Sequence, residues 1–399
     1  MNIAITPQRL RGCVTPPPSK SDAHRLLIAM ALADKPSRLR LAATNADIDA
    51  TMRCLSALGA QIQLQEDTVE MTPIAHSGAV AQCDCGESGS TLRFITPVAA
   101  ALDGAVLTGC GRLGERPMEP LLSLLRDHGC RVSGEGLPLQ VSGGLKSGVY
   151  ALRGDISSQF VTGLLYALPM LAGDSEIHLT APLQSRGYVD MTLRVLRQFG
   201  IIIEEKKNAY VIPGGQRYIA PAGELSPEGD WSGAAFWYGA NYAGAEIDIL
   251  GLLADSTQGD KVIAHLAQDL PDVVDVGNFP DLLPILSVMA CKKQGNTHFV
   301  NAARLRIKES DRLDACEKMI QSLGGSAHAT ADSLTVQGTG CLAGGTVDGM
   351  NDHRIVMSTV IASCICEKEV VILGAEAAKK SYPAFLGDFE QLGGKFHVL

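Results

Sequence analysis

The chain has 399 residues, enough for two sizeable domains, and its 46% hydrophobic and 19% charged residues are the balance of an ordinary globular protein. Its formal net charge of −9 argues against a nucleic-acid footprint, which needs a basic surface. Eleven scattered cysteines, with no CxxC pair and no histidines at zinc spacing, read as reduced thiols. No apolar leader precedes Gly12, and the longest apolar stretch, 355–366, is too short to span a bilayer. The expectation is a soluble, cytoplasmic protein that binds neither membrane nor nucleic acid.

In chain order, the first informative segment runs from Pro16 to Arg25. Three prolines lead into the apolar-periodic run Leu26, Leu27, Met30 and Leu32, which predicts a helix capped by Ser19 or Ser21. Lys20, Ser21 and Arg25 crowd its start, with Ser21 and Arg25 on one face. A helix start offers free N–H groups and a positive dipole end, so two cations and a hydroxyl there make an anion site.

An amphipathic helix stopped by glycine then recurs: 51–59, 121–129, 191–200, 316–324 and 385–393. Each leads into a short strand pattern, including 60–64, 130–132 and 201–203. Gly59, Gly129 and Gly200 fall about 70 residues apart, as do Gly324 and Gly393. A sixth copy without its glycine fits at 262–270. Six units alternating helix and strand, in two groups of three, predict two similar α/β domains.

Polar clusters precede the remaining apolar helices. The stretch 86–93 leads into 94–102, 157–159 into 160–171, and 279–281 into 282–290. Likewise 308–312, with Ser310 as cap, leads into 313–323. The segments 352–354 and 380–383 precede 355–363 and 384–392. Ser and Asp at such places are merely good caps, but Lys and Arg are disfavoured there. Lys20, Arg25, Arg93, Lys308, Arg312, Arg354 and Lys380 all fall in or beside these starts. A polyanionic ligand would offset both charge and dipole. Asp281 and Glu309 add acid/base capacity. Walker A and strand–GxGxxG patterns are missing, so the predicted ligand carries phosphate and carboxylate groups without nucleotide machinery.

These pieces occur in a specific order: Lys20 and Ser21 with Arg25, the 86–93 loop, Glu115-Arg116-Pro117, Ser157-Ser158-Gln159, and Ser185 with Tyr188. Gly229-Asp230, Pro280-Asp281, Lys308-Glu309 before Asp311-Arg312, Asp352-His353-Arg354 and Lys380 before Pro383 complete it. The ordered set resembles the EPSP synthase family, the 3-phosphoshikimate 1-carboxyvinyltransferases, over nearly the whole chain. The resemblance implies a two-domain inverse α/β barrel of six βαβαββ units, three per domain. Residues 1–18 plus 229–399 would form one domain and 19–228 the other, with the active site in the cleft between them.

The implied reaction moves the enolpyruvyl group of phosphoenolpyruvate to the 5-hydroxyl of shikimate 3-phosphate and releases phosphate, on the route to chorismate and the aromatic amino acids. By the same resemblance Lys20, Gly89, Arg116, Gln159, Arg312, Arg354 and Lys380 would hold phosphoenolpyruvate. Lys20, Ser21, Arg25, Ser157, Ser158, Gln159, Ser185, Tyr188, Asp281 and Lys308 would hold shikimate 3-phosphate. Asp281, with Lys308 or Lys20 nearby, would accept the hydroxyl proton. Glu309 would exchange the proton at the methylene carbon, and Lys380 would protonate the departing phosphate. No metal or cofactor is implied, and a monomer is expected.

Four positions depart from the family pattern: Ala23 for Ser, Glu87 for Asn, Ser90 for Thr, and Arg304 for Asn or an acid. The sister transferase acting on UDP-N-acetylglucosamine has a reactive cysteine five residues before its arginine and Asn after its first lysine. Here Gly111 and Ser21 stand at those places. RNA 3′-phosphate cyclase needs a basic RNA surface. A non-catalytic ligand binder needs no carboxylates such as Asp281 and Glu309 facing an anion.

Overall fold

Two kinds of helix alternate along the chain, and their sequences say why. The computed structural model describes residues 1–75, 78–134 and 136–399. Its helices are α1 Lys20–Ala31, α2 Ala46–Ala57, α3 Gly89–Ala101, α4 Glu119–Asp127, α5 Ser158–Ala167 and α6 Arg186–Gln198. They continue as α7 Trp231–Tyr242, α8 Ile263–Leu266, α9 Leu283–Lys292, α10 Arg312–Ser322, α11 His353–Ala362 and α12 Phe385–Gln391. The odd-numbered helices are buried almost end to end; every residue of α11 is buried. The long even-numbered helices are amphipathic and bury one face, as Leu121, Leu122, Leu124 and Leu125 do in α4.

The predicted stop glycines end the even helices by one mechanism. Gly59, Gly129, Gly200, Gly324 and Gly393 all have φ between 76° and 112°, open to glycine at no steric cost. At Gly59 the Gly59 amide donates to Ser56 O and the Ala60 amide to Leu55 O, both at 3.0 Å, which satisfies two orphan carbonyls of α2. The other four ends show the same pair of bonds. The sixth copy is shorter than predicted: a 3₁₀ turn, Gly259–Val262, runs into the single turn of α8. Pro271 disfavours helical backbone at Leu270, and no glycine closes the end.

The chain forms two compact lobes, a terminal one of residues 1–19 with 228–399 and a central one of 20–227. Among the described residues each holds three sheets. In the central lobe, Ala81–Asp84 pairs in parallel with Gly104–Thr108, and the hairpin strands Val132–Ser133 and Leu139–Ser142 add antiparallel to it. With α3 and α4 between the strands, this is one βαβαββ unit. Val149–Arg153, Ser175–Ala181, Glu204–Lys206 and Ala209–Ile212 repeat it around α5 and α6. The remaining sheet has three strands, and Leu225 supplies the parallel edge by bridging Leu39.

In the terminal lobe, Val273–Asp275, Gln294–Val300, Ser326–Ala329 and Leu334–Thr339 repeat the pattern. Gly345–Asp348, Val370–Leu373 and Lys395–Val398 are completed by Ile3–Thr6, which pairs between the last two. Arg11–Val14 with Glu246–Ile249 makes the shortest sheet.

Residues 201–203 form no strand, against expectation. The Ile201 amide is used to end α6 at Leu196 O, 2.9 Å, and the Ile202 amide donates to Gln216 Oε1, 2.7 Å. Each lobe has its own core. Phe94, Phe160, Leu164 and Tyr166 anchor the central one; Trp237, stacked 4.9 Å from Phe385, anchors the other. Within the central lobe α3 and α5 touch closely, because a Cβ on Gly163 would lie 2.4 Å from Arg93 O. Among the described residues no helix is long and apolar enough to cross a membrane.

Candidate active site

A buried apolar helix can expose its backbone donors only at its start. The structure places most of the predicted site residues at such starts, in two groups, one per lobe.

In the central lobe Lys20 is the first residue of α1, flanked by Ser19; Ser21 lies in the first turn. Lys20 Nζ pairs with Asp47 Oδ2 at 2.8 Å. Asp47 is in the first turn of α2, whose cap Asn45 accepts from the Asp47 and Ile48 amides. Arg25 is 2% exposed. Its Nε donates to Thr192 Oγ1 at 2.8 Å, Nη1 to Ser21 O at 2.7 Å and Nη2 to Tyr188 O at 2.9 Å. The guanidinium also faces the rings of Phe94 and Tyr188. Burial lowers its pKa, and Tyr166, Asp22 and Tyr188 oppose that only in part.

Ser88 caps α3 by accepting from the Thr91 amide, leaving Gly89 and Ser90 as its first residues. The Arg116 guanidinium covers Gly89 so closely that a Cβ there would meet Nη1 at 2.5 Å. Ser157 caps α5 and accepts from the Gln159 amide. Gln159 joins two starts: its Oε1 accepts from Arg93 Nη1 at 2.7 Å and its Nε2 donates to Ser90 Oγ at 2.9 Å. Ser158 is buried, and Ser185, in left-handed backbone with φ 55°, begins α6.

In the terminal lobe the hub is Arg312, the first residue of α10 and 1% exposed. Nε donates to Asp352 Oδ2 at 2.8 Å, Nη1 to Asp281 Oδ1 at 2.7 Å and Nη2 to Glu309 Oε2 at 2.7 Å. One guanidinium therefore holds three carboxylates. Burial alone would lower its pKa, but Asp352, Glu309 and Asp281 raise it well above the usual arginine value. Asp352 shows the reciprocal balance. Burial pushes its carboxyl up, yet Arg312 and His353 bring it below the ordinary aspartate value.

Asp352 caps α11 through the Arg354 amide. Arg354 donates to Asp281 twice, Nη1 to the backbone O and Nη2 to Oδ2, each at 3.2 Å. Lys308 Nζ reaches Asp281 Oδ1 at 3.3 Å. Lys380 Nζ donates to Asn351 O at 3.0 Å, beside the start of α11.

Three placements differ from expectation. Ser310 does not cap α10; its hydroxyl donates to Asp352 Oδ2 at 2.9 Å, and Asp311 caps instead by accepting from the Asp314 amide. Lys308 and Lys380 are not at helix starts: Lys308 follows the 3₁₀ turn Ala303–Ile307, and Lys380 ends the 3₁₀ turn Ala375–Lys380. At two departure positions the side chains have local work. Arg304 Nη2 donates to Gly277 O at 2.8 Å, and the Glu87 carboxyl lies over Gly111, where a Cβ would meet it at 2.2 Å.

Sequence reasoning passed over Asp47 and Asp260. Asn45 followed by Asp47 and Asp49 is a cap-and-acid helix start that would have revealed the first. Asp260 is 1% exposed and takes a close hydrogen bond from the Ser232 hydroxyl. Burial raises its pKa to about 6, against the pull of Arg354 and with a further push from Asp281. No local pattern marks it.

The family model described as EPSP synthase (3-phosphoshikimate 1-carboxyvinyltransferase) matches residues 5–271 and 262–389. The chain belongs to the EPSP synthase family. It is 39% identical over 419 residues to a 3-phosphoshikimate 1-carboxyvinyltransferase of Clostridium kluyveri, covering 98% of this chain and 97% of that one. It is 40% identical over 421 residues to the one of Clostridium acetobutylicum, covering 99% and 98%. The fold matches EPSP synthase from Acinetobacter baumannii with a TM-score of 0.82 at 24% identity over 100% of both chains. It also matches the enolpyruvyl transferase NikO from Streptomyces tendae with a TM-score of 0.80 at 17% identity, over 99% of this chain and 98% of that one. The two-domain EPSP synthase-like fold is thus shared with a family member and with a second enolpyruvyl transferase.

Proposed function

We propose that the chain transfers the enolpyruvyl group of phosphoenolpyruvate to the 5-hydroxyl of shikimate 3-phosphate. Family membership carries the reaction class. The observation that supports the chemistry is the Arg312 fork, which holds Asp281 and Glu309 on adjacent nitrogens at 2.7 Å each. Addition–elimination needs two proton carriers and a cationic surround for a leaving phosphate.

In the addition step Glu309 delivers a proton to the methylene carbon of phosphoenolpyruvate. The 5-hydroxyl oxygen bonds to the adjacent carbon and gives its proton to Asp281. In the elimination step the bond from that carbon to the phosphate oxygen breaks and Lys380 protonates the phosphate. Glu309 then takes a proton back from the methyl group, restoring the double bond. The hydrogen bonds of Lys308 and Arg354 to Asp281 favour its ionised form, as a base requires.

Lys20, Gly89, Arg116, Gln159, Arg312, Arg354 and Lys380 hold phosphoenolpyruvate in this proposal. Lys20, Ser21, Arg25, Ser157, Ser158, Gln159, Ser185, Tyr188, Asp281 and Lys308 hold shikimate 3-phosphate. Anion binding at Arg312 competes with carboxylates already seated there, so substrate binding and acid release are coupled. The test is phosphate release from phosphoenolpyruvate with each acceptor in turn. Release is expected with shikimate 3-phosphate. Release only with UDP-N-acetylglucosamine, or with neither, overturns the proposal.

A further inference from the structure

A chain of buried hydroxyls runs through the central lobe beneath Lys20 and Gly89, and it starts at His24. His24 Nδ1 lies 2.7 Å from Thr51 Oγ1, which lies 2.7 Å from Thr91 Oγ1. Thr91 Oγ1 is 2.8 Å from Ser88 Oγ and 3.3 Å from the Asp47 carbonyl. The four side chains are at most 1% exposed and come from α1, α2 and the start of α3. The ends of the chain are functional positions. His24 is one helical turn beyond Lys20, Asp47 is the partner of Lys20, and Ser88 caps the helix that opens with Gly89 and Ser90.

The hydrogens can be assigned. A carbonyl only accepts, so Thr91 donates toward Asp47 O or, alternatively, toward Ser88 Oγ. Thr51 then donates to Thr91, and His24 must donate to Thr51 from Nδ1. The reverse direction would put a proton on Nε2, which is buried and has no hydrogen-bond partner among the described residues. An orphaned buried N–H is rarer than an orphaned acceptor. Burial keeps the ring neutral, lowering its pKa to about 3, helped by Lys20 and Arg25 and opposed by Asp47.

We propose that His24 is a positioning residue for phosphoenolpyruvate binding: as the Nδ1–H tautomer it orders Thr51 and Thr91 and so fixes the starts of α1, α2 and α3 that carry Lys20, Asp47 and Gly89. The inference rests on the reading of Lys20 and Gly89 as substrate contacts. A ligand contact displaced by a fraction of an ångström loses affinity and alignment.

The experiment compares His24→Leu with His24→Asn. Asparagine Nδ2 can occupy the place of Nδ1–H, whereas leucine fills space without donating. The expected result is a KM for phosphoenolpyruvate raised about tenfold or more in His24→Leu, and within about threefold of the parent in His24→Asn. Adding Thr51→Val to His24→Asn should abolish that rescue. Equal loss in both His24 variants, no loss in His24→Leu, or a rescue that survives Thr51→Val overturns the proposal. Should His24→Leu not fold, Thr51→Val alone carries the same expectation against the parent. Nitrogen NMR of the parent at neutral pH gives a readout independent of turnover. It should find His24 neutral with the proton on Nδ1, and a proton on Nε2 contradicts the inference even if the proposed reaction itself fails.

Discussion

Arg25, in the second turn of α1, and Arg312, the first residue of α10, are both almost fully buried, yet they are satisfied in opposite ways. Arg25 rests on neutral acceptors: a threonine hydroxyl and two backbone carbonyls. Arg312 rests on three carboxylates. Arg93 follows Arg25, with a glutamine amide and the Pro117 carbonyl as partners, while Arg354 follows Arg312 through its bonds to Asp281. Arg25 is held by neutral acceptors, which suits attraction of anions. The terminal lobe uses cations to hold acids together, which suits proton transfer. Lys20 pairs with Asp47 in the central lobe, and that pair is partly exposed.

The largest expected effect tests this contrast on stability. Arg312→Leu leaves Asp352, buried at 0% exposure, without its guanidinium and takes one of two guanidinium partners from Asp281. It should cost about 3–5 kcal/mol in denaturant unfolding. Arg25→Leu strands only neutral groups and should cost about 1–3 kcal/mol beyond any packing change. Equal costs, or the reverse order, would break the comparison.

Asp260 sharpens it through pH. Its folded pKa, about 6, is above the ordinary 3.8, so the folded state holds its proton more tightly than the unfolded one. The stability it contributes is present below pH 3.8 and is lost as pH rises through about 6. Asp260→Asn should remove that dependence. Relative to the parent, the variant should gain on the order of 3 kcal/mol between pH 4 and pH 8, read from unfolding curves at each pH. A constant difference across the range would show that Arg354 keeps Asp260 ionised throughout.

Gly89→Ala probes the central lobe with the smallest change. The new methyl would push Arg116 aside, since its nitrogen lies 2.5 Å from the Cβ position, and a flexible side chain can yield without unfolding the lobe. The expected outcome is an unchanged melting temperature with KM for phosphoenolpyruvate raised about tenfold, or ~1.4 kcal/mol. A melting temperature that falls with KM unaltered would assign Gly89 to packing alone.

Much of the fold was legible because its signals are local. A glycine at the end of an amphipathic run needs only its own φ and two amides to stop a helix, and five such places revealed the repeat. The strand expected at 201–203 failed because Gln216, 14 residues away, takes the Ile202 amide. The site was legible as a set of helix starts, but not in its pairings. Ser310 reads as a cap by propensity, and only Asp352, 42 residues on, diverts its hydroxyl. Thr51 meets Thr91 across 40 residues, and Ser232 meets Asp260 across 28. Neither spacing belongs to a helix or strand period, so tertiary packing alone brings these groups together.

The proposed role of Glu309 in proton transfer, as distinct from binding, is tested most directly with Glu309→Gln. Titration calorimetry with shikimate 3-phosphate and steady-state phosphate release should be measured on the same preparation. The expected result is affinity within about threefold of the parent and turnover at least about tenfold lower, the range for loss of a positioned acid or base. Near-normal turnover, or affinity lost in step with turnover, would contradict the proton-transfer role of Glu309.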